Sequence, residues 1–314
     1  MLRPIFLALS RRPELARRAL RHPVLHRAAR RFVAGEQLDD AVAAVRVLNS
    51  ADLAATLDLL GENTATEAAA ERSVSAHLDI LDTLHRTGID SNLSLKLTQL
   101  GLALDDARCE ARLARLLDRA GATFVRIDME GSAYTERTLR LFERLWAAGH
   151  RNLGVVIQSY LRRSDADIDR WIALGVRIRL VKGAYAEPPT IAFLHKRDVD
   201  AAYARLAERL LRDGVDPAIA THDERLIGAL RGFAAARGIA PERFEFQMLY
   251  GIRRDLQLRL RRQGYRVRVY VPFGGEWFPY FMRRLAERPA NVMFVVASLL
   301  RDRDGRQAVA GRAG

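Results

Sequence analysis

The segment YVPFGGEWFPYFMRRLAE, Tyr270 to Glu287, passes from an apolar, strand-like run through a glycine turn into a helix carrying two adjacent arginines. Tyr280, Arg283, Arg284 and Glu287 recur at helical spacing, which puts a phenol, two guanidinium groups and a carboxylate on neighbouring parts of one face. Guanidinium forks match the paired oxygens of a carboxylate or phosphate, so this helix suits an anionic ligand. In a chain with 51 Lys and Arg, a solvated basic face that includes Arg288 accounts for the same pattern. What the helix does depends on what the rest of the chain brings beside it.

Two charges sit inside apolar runs, Lys96 between Leu95 and Leu97, and Asp128 between Ile127 and Met129. Each needs a partner, because an isolated buried charge is costly. A lysine so placed is either a Schiff-base nucleophile or a fixed cation for an anionic substrate. Asp128 orients Lys96 or an arginine, or acts as a base, and the abundance of arginine favours orientation. VKGAYAEPP, residues 181 to 189, joins Lys182 to Gly183, Ala184 and Tyr185, a loop whose glycine permits close backbone approach. THDERL places Thr221 and His222 at a helix start, where free N–H groups favour phosphate and where Thr221 also serves as a plain cap.

These residues need a scaffold, and short apolar runs supply it: 55 to 60, 92 to 97, 123 to 129, 153 to 158, 176 to 182, 217 to 221, 244 to 249 and 265 to 271. Helical segments lie between them, many closed by glycine, as at 105 to 120 before Gly121. Eight βα units over about 250 residues predict an α/β fold of the (βα)8 TIM-barrel type. No G-x-G-x-x-G follows the first run, which weakens a Rossmann alternative. A barrel predicts a site at the carboxyl ends of its strands, and polar residues gather there: Glu62, Lys96, Asp128, Gln158, Lys182, Thr221 with His222, Gln247 and Tyr270.

Residues 1 to 50 read as a basic arm of short amphipathic helices, 51 to 300 as the barrel, and 301 to 314 as a disordered tail. Of the net charge of +13, residues 1 to 35 carry +8, from nine arginines against Glu14. Such an arm suits an anionic membrane surface or solvent better than nucleic acid, since few aromatic residues interleave with the arginines. IFLALS is too short to span a bilayer. A single cysteine, Cys109, excludes an intrachain disulfide, and a cytoplasmic setting is expected. No compact ligand spacing is present, so no metal is expected.

In order, DLLGE at 58 to 62, LSLKLTQLGL at 93 to 102, RIDME at 126 to 130, IQSYLRRS at 157 to 164, RLVKGAY at 179 to 185, ATHD at 220 to 223, FQMLYG at 246 to 251 and the arginine-pair helix resemble the successive motifs of proline dehydrogenases. The resemblance implies a distorted (βα)8 barrel whose final helix lies over the mouth, and oxidation of L-proline to Δ1-pyrroline-5-carboxylate by FAD, with a membrane quinone as acceptor. It implies that Arg283, Arg284 and Lys96 hold the proline carboxylate while Tyr270, Tyr280, Leu249 and Tyr185 enclose the ring. Arg179 and Gln158 would contact the flavin, and Met129, Lys182, Gly183, Ala184, Thr221, His222 and Glu287 would complete the FAD site. Asp128 and Arg179 would act in catalysis, with Asp128 ordering the arginine pair and Arg179 stabilising charge on the reduced flavin. Glu62 would pair with Arg283 as a gate, and Tyr270 would favour proline over hydroxyproline. Because the proline amine must be unprotonated before hydride leaves, activity is expected to rise with pH. The pattern is that of the short, monofunctional bacterial type, and the basic arm with the apolar run 291 to 300 suggests peripheral contact with the inner face of the cell membrane. Two other readings stand beside it: a Schiff-base lyase or aldolase using Lys96 or Lys182, and a nucleic-acid binder acting through the arm.

Overall fold

The structure, a computed structural model, describes residues 29–287, and side chains as far as residue 283. The basic arm as far as residue 28, the run 291 to 300 and the tail lie outside the described residues.

Eight parallel strands close into a barrel in sequence order. They are β1 (Ala54–Leu59), β2 (Ser91–Leu95), β3 (Val125–Ile127), β4 (Leu153–Gln158), β5 (Ile178–Val181), β6 (Ala218–Ala220), β7 (Glu245–Leu249) and β8 (Arg266–Phe273). Ladder pairing between β1 and β8, with Thr56 opposite Tyr270, closes the ring. Strands of this kind are covered on the outside by helices, so their outward residues are apolar. Ala55, Leu57, Leu93, Leu95, Val125 and Ile127 are all fully buried. Alternation turns their neighbours inward, and these are polar: Thr56, Asp58, Ser94, Arg126 and Arg179.

The helices in chain order are α1 (Leu38–Asn49), α2 (Glu67–Thr87), α3 (Asp106–Ala120), α4 (Ser132–Ala147), α5 (Ser164–Ala173), α6 (Lys196–Asp213), α7 (Glu224–Ala236), α8 (Arg254–Arg262) and α9 (Trp277–Glu287). In α2 the Thr66 side chain caps the first turn by accepting from the Ala69 N–H, and Ala70, Val74, His77, Leu81 and Leu84 bury one stripe at helical spacing. Gly88, at φ 61°, ends it in the left-handed conformation that other residues adopt at a cost. Each large apolar side chain in such a stripe stabilises the fold by about 1.5–3 kcal/mol relative to exposure. Among the described residues, no helix is long and apolar enough to cross a membrane.

Two details of the ends matter for chemistry. The apolar run 123 to 129 contributes only Val125–Ile127 to the ladder, and 92 to 97 ends as a strand at Leu95. Lys96 and Asp128 therefore stand one residue beyond their strands rather than within them. The ladder stops because the chain turns there: Leu97–Leu100 form a 3-10 turn, and the Asp128 N–H donates to the Leu95 carbonyl at 2.8 Å.

The start of the described chain braces its end. Phe32 packs against Phe281 with ring centres 6.0 Å apart, and the Trp277 indole N–H donates to Glu36 at 3.0 Å. Two backbone bonds, Ala34 N–H to Pro272 and Gly274 N–H to Gly35, stitch the same segments together. α9 is thus fixed at the carboxyl end of β8, on the side of the barrel where the strands end.

Candidate active site

Asp128 is the centre of the barrel mouth. Its Oδ1 accepts from Arg179 at 2.7 Å and from the Ser94 hydroxyl at 2.8 Å, and its Oδ2 accepts from the Tyr270 hydroxyl at 2.6 Å. The Lys96 ammonium lies 3.9 Å from Oδ2. These partners come from β2, β5 and β8, while Asp128 follows β3; the strands are not all neighbours, so the groups meet only across the barrel interior. The Arg179 guanidinium also lies over the Tyr270 ring, 5.3 Å from its centre.

Lys96 has a second and closer carboxylate, Asp58 on β1, at 3.2 Å. Burial works against the ammonium, but Asp58, Asp128 and Glu62 together outweigh it and raise Lys96 above the ordinary lysine value. Burial pushes Asp58 up to about 6, against the pull of Lys96. Tyr270 is raised well above the ordinary tyrosine value by burial and by Asp128, so it remains a neutral phenol that donates its proton in a hydrogen bond. Burial, with Glu62 and Glu130 nearby, likewise raises Tyr185.

Above this cluster Arg283 on α9 donates to Glu62, from the loop after β1, at 2.9 Å. Both side chains keep partial exposure, 28% and 25%, so the pair closes the mouth at its solvent boundary. Arg284 and Glu287 occupy α9, but their side chains lie outside the described residues. Tyr280 is buried on the same helix, and Leu249 stands directly opposite Tyr270 in the β7–β8 ladder. Asp128 was expected to order the arginine pair of α9; among the described side chains its carboxylate accepts from Arg179, Ser94 and Tyr270. Arg283 is held by Glu62 instead.

The remaining predicted residues line the opposite arc. Gln158, the last residue of β4, donates to the Glu130 carbonyl at 2.9 Å, and Met129 is buried beside Asp128. Lys182 follows β5 and is clamped by Asp200 at 2.6 Å and Asp223 at 3.2 Å. Gly183 has φ 110°, and a Cβ there would come within 2.2 Å of the Tyr160 ring, so the loop carrying Ala184 and Tyr185 lies flat against that ring. The cap of α7 is Asp223, which accepts from the Arg225 N–H, and not Thr221, whose hydroxyl accepts from the Asp223 N–H. His222 accepts from the Leu249 N–H at 2.9 Å and so ties the end of β6 to that of β7. Gly183→Ala is expected to destabilise the protein and to loosen this loop, by about 1–3 kcal/mol. A melting temperature equal to that of the unaltered protein would show that the close approach carries no weight.

Sequence reasoning passed over Asp58, Ser94 and Glu130. Asp58 gave the same signal as Lys96, a charge inside an apolar run. Glu130 accepts from the Thr98 N–H at 3.1 Å and from its hydroxyl at 2.5 Å, which joins the turn after Lys96 to the loop after Asp128. Nothing local in the sequence marks that contact.

A model of the proline dehydrogenase family matches residues 41–297. The chain belongs to the proline dehydrogenase family. It is 42% identical over 303 residues to proline dehydrogenase 1 of Bacillus subtilis subsp. natto, covering 96% of this chain and 100% of that one. It is 40% identical to the proline dehydrogenase of Deinococcus radiodurans, covering 95% and 98%. Among solved structures, proline utilization A of Bdellovibrio bacteriovorus inactivated by N-propargylglycine superposes with a TM-score of 0.78 at 27% identity, over 83% of this chain and 32% of that one. The chain thus spans about a third of that larger protein's length. Family membership makes the protein an oxidoreductase of proline catabolism, and the closed barrel is the expected fold.

Proposed function

We propose that the protein binds FAD in the barrel mouth and oxidises L-proline to Δ1-pyrroline-5-carboxylate, with electrons passing on to a membrane quinone. The observation that carries this reading is the stacking of two cations at one opening, Lys96 below and Arg283 above, each already matched to a carboxylate. An incoming carboxylate can take the other N–H groups of Arg283 while Nη2 stays on Glu62, and bridge towards Lys96, which fixes one end of a small amino acid beneath the closed pair. Tyr270, Tyr280, Leu249 and Tyr185 then surround the ring, and Arg284 from the same helix joins the clamp. With the carboxylate held, the ring carbon on the far side of the nitrogen is directed inward.

The donor set on the arc from β4 to β6 suits a flavin nucleotide. Arg179 and Gln158 offer planar N–H groups for an isoalloxazine ring, and the buried Arg179 Nε has no hydrogen-bond partner among the described residues. Lys182, Gly183, Ala184, Thr221 and His222 form the loop ends that would take the ribityl and phosphate parts, with Met129 and Glu287 beside the ring system. Removal of a hydride from the proline ring is the chemistry that bound FAD supplies. The protein's own part is to orient the ring, exclude water and hold Arg179 in place through Asp128. No side chain is assigned to take the amine proton, so turnover is expected to rise with pH as free amine becomes available. A profile that falls from neutral to alkaline pH would contradict this.

The Schiff-base alternative fares poorly on the same geometry. A nucleophilic lysine needs a lowered pKa, whereas Lys96 is raised by its carboxylates and Lys182 is ion-paired with Asp200 and Asp223. Peripheral membrane contact through the basic arm is part of the proposal, as the route to the quinone.

The test is proline-dependent reduction of a water-soluble quinone by the FAD-loaded protein. Saturable turnover with L-proline and much weaker turnover with 4-hydroxyproline, against which Tyr270 closes the pocket, are expected. No reduction with proline would overturn the reading. Glu62→Ala is expected to raise KM for proline about 3- to 5-fold with a smaller change in kcat, because a half-exposed pair contributes about 1 kcal/mol at most. An unchanged KM would remove Glu62 from the gate.

A further inference from the structure

The main chain and the side chain of Lys96 are both tied to β1, the first through Gln99. Its N–H donates to the Gln99 side chain at 2.9 Å, and the Gln99 amide donates to the Leu59 carbonyl of β1 at 2.7 Å. Its ammonium donates to Asp58 of the same strand at 3.2 Å. Asp58 is 1% exposed and sits in two ladders, opposite Ser94 of β2 and Pro272 of β8. Lys96 itself stands beyond the end of β2, in a turn with no ladder of its own. A strand paired on both sides thus carries the anchor for a side chain that stands in the turn beyond β2.

We propose that Asp58 is a positioning residue for proline oxidation, which anchors the Lys96 ammonium at the height in the barrel mouth where the substrate carboxylate is met. The proposal rests on the reading above that Lys96 takes part in binding that carboxylate. Asp58 does a second thing through the same contact. Lys96 faces Asp58 from β1, Asp128 from β3, Glu62 and Tyr185 from the loops after β1 and β5, His77 from α2 and Glu130 from the loop after β3. Of the carboxylates, Asp58 is the nearest and the most deeply buried. Burial works against the charge on Lys96, and Asp58 is the first of the carboxylates that oppose it. The reaction needs an unprotonated amine on the substrate and a protonated amine on Lys96. Asp58 is the first of the residues that favour both at one pH.

The sign is fixed by the linkage. Loss of the Asp58 charge lowers the Lys96 pKa, so the cation is retained at neutral pH and lost as pH rises. A carboxylate ligand with no titratable amine reads this directly, and tetrahydrofuran-2-carboxylate is proline with the ring nitrogen replaced by oxygen. Its Kd is measured by calorimetry on FAD-loaded wild-type protein, Asp58→Asn and Asp58→Ala, at about pH 7 and about pH 10. Wild-type affinity is expected to change less than about threefold between the two. Asp58→Asn, which keeps an oxygen for the ammonium, is expected to stay within about threefold of wild type at neutral pH and to fall about tenfold or more at alkaline pH. Asp58→Ala, with no anchor, is expected to bind about tenfold more weakly already at neutral pH.

Variants that track the wild-type Kd at both pH values overturn the role of Asp58 while leaving the proline site standing. A wild-type protein that binds no cyclic carboxylate overturns the site reading and this inference with it. If Asp58→Ala does not fold, Asp58→Asn decides the matter alone, since a purely structural role gives no new alkaline loss of affinity.

Discussion

Asp128→Ala is expected to lose about 3–5 kcal/mol of stability and about 10²- to 10³-fold in kcat/KM. Arg179 and Tyr270 both donate to this carboxylate, and Lys96 lies close by. Removing it leaves a guanidinium that is 5% exposed without its counter-charge, and the cost of stranding a buried charge exceeds the worth of the pair itself. The loss is large against a total stability of about 5–15 kcal/mol for an ordinary domain. Asp128→Asn, which keeps the shape and one acceptor, should fold better than the alanine variant and still leave Arg179 poorly held. Chemical denaturation and steady-state kinetics on both variants check this. If Asp128→Ala melts with the wild type and turns over normally, Asp128 is not the organiser of the mouth.

Arg283→Met is expected to raise KM for proline about 30- to 100-fold, corresponding to about 2–3 kcal/mol for the charge-assisted hydrogen bonds of one guanidinium. Methionine keeps much of the apolar stem that packs along α9 while removing the fork. The effect should exceed that of Glu62→Ala, because Glu62 acts on the substrate only through Arg283, whereas Arg283 is proposed to hold the substrate itself. A KM within twofold of wild type would place the carboxylate elsewhere.

The barrel was legible in the sequence because the outward, helix-covered face of each strand is apolar and recurs in short runs between helical segments, and all eight runs became strands. Their ends were less legible. Apolar side chains carry on past the ladder at Phe124 and Met129, so the run predicted for β3 was longer than the three residues that pair. The cap of α7 passed from Thr221 to Asp223 for a similar reason, since either residue satisfies the local rule and the turn geometry decides between them.

At the site, the charges inside apolar runs pointed to Lys96 and Asp128, and the structure brings them together with Arg179 and Tyr270. Asp58 gave an equal signal in ATLDLL and was passed over, although it is the nearer partner of Lys96. That Asp128 orders Arg179 was hidden, because the sequence separation between them, and between Asp128 and Tyr270, carries no pattern. The brace of Phe32 and Glu36 on α9 was hidden for the same reason. The start of the chain reads as a basic arm by charge, and the apolar residues that tie it to Trp277 and Phe281 become visible only once the barrel has closed.

The central claim, a flavin and a proline site in one barrel mouth, is tested most directly by the visible spectrum of the FAD-loaded protein before and after L-proline is added without oxygen. Flavin bands that bleach on addition of proline are the predicted result, and they establish cofactor and reductive half-reaction together. Bands that persist at saturating proline, or a protein that takes up no FAD at all, would contradict it.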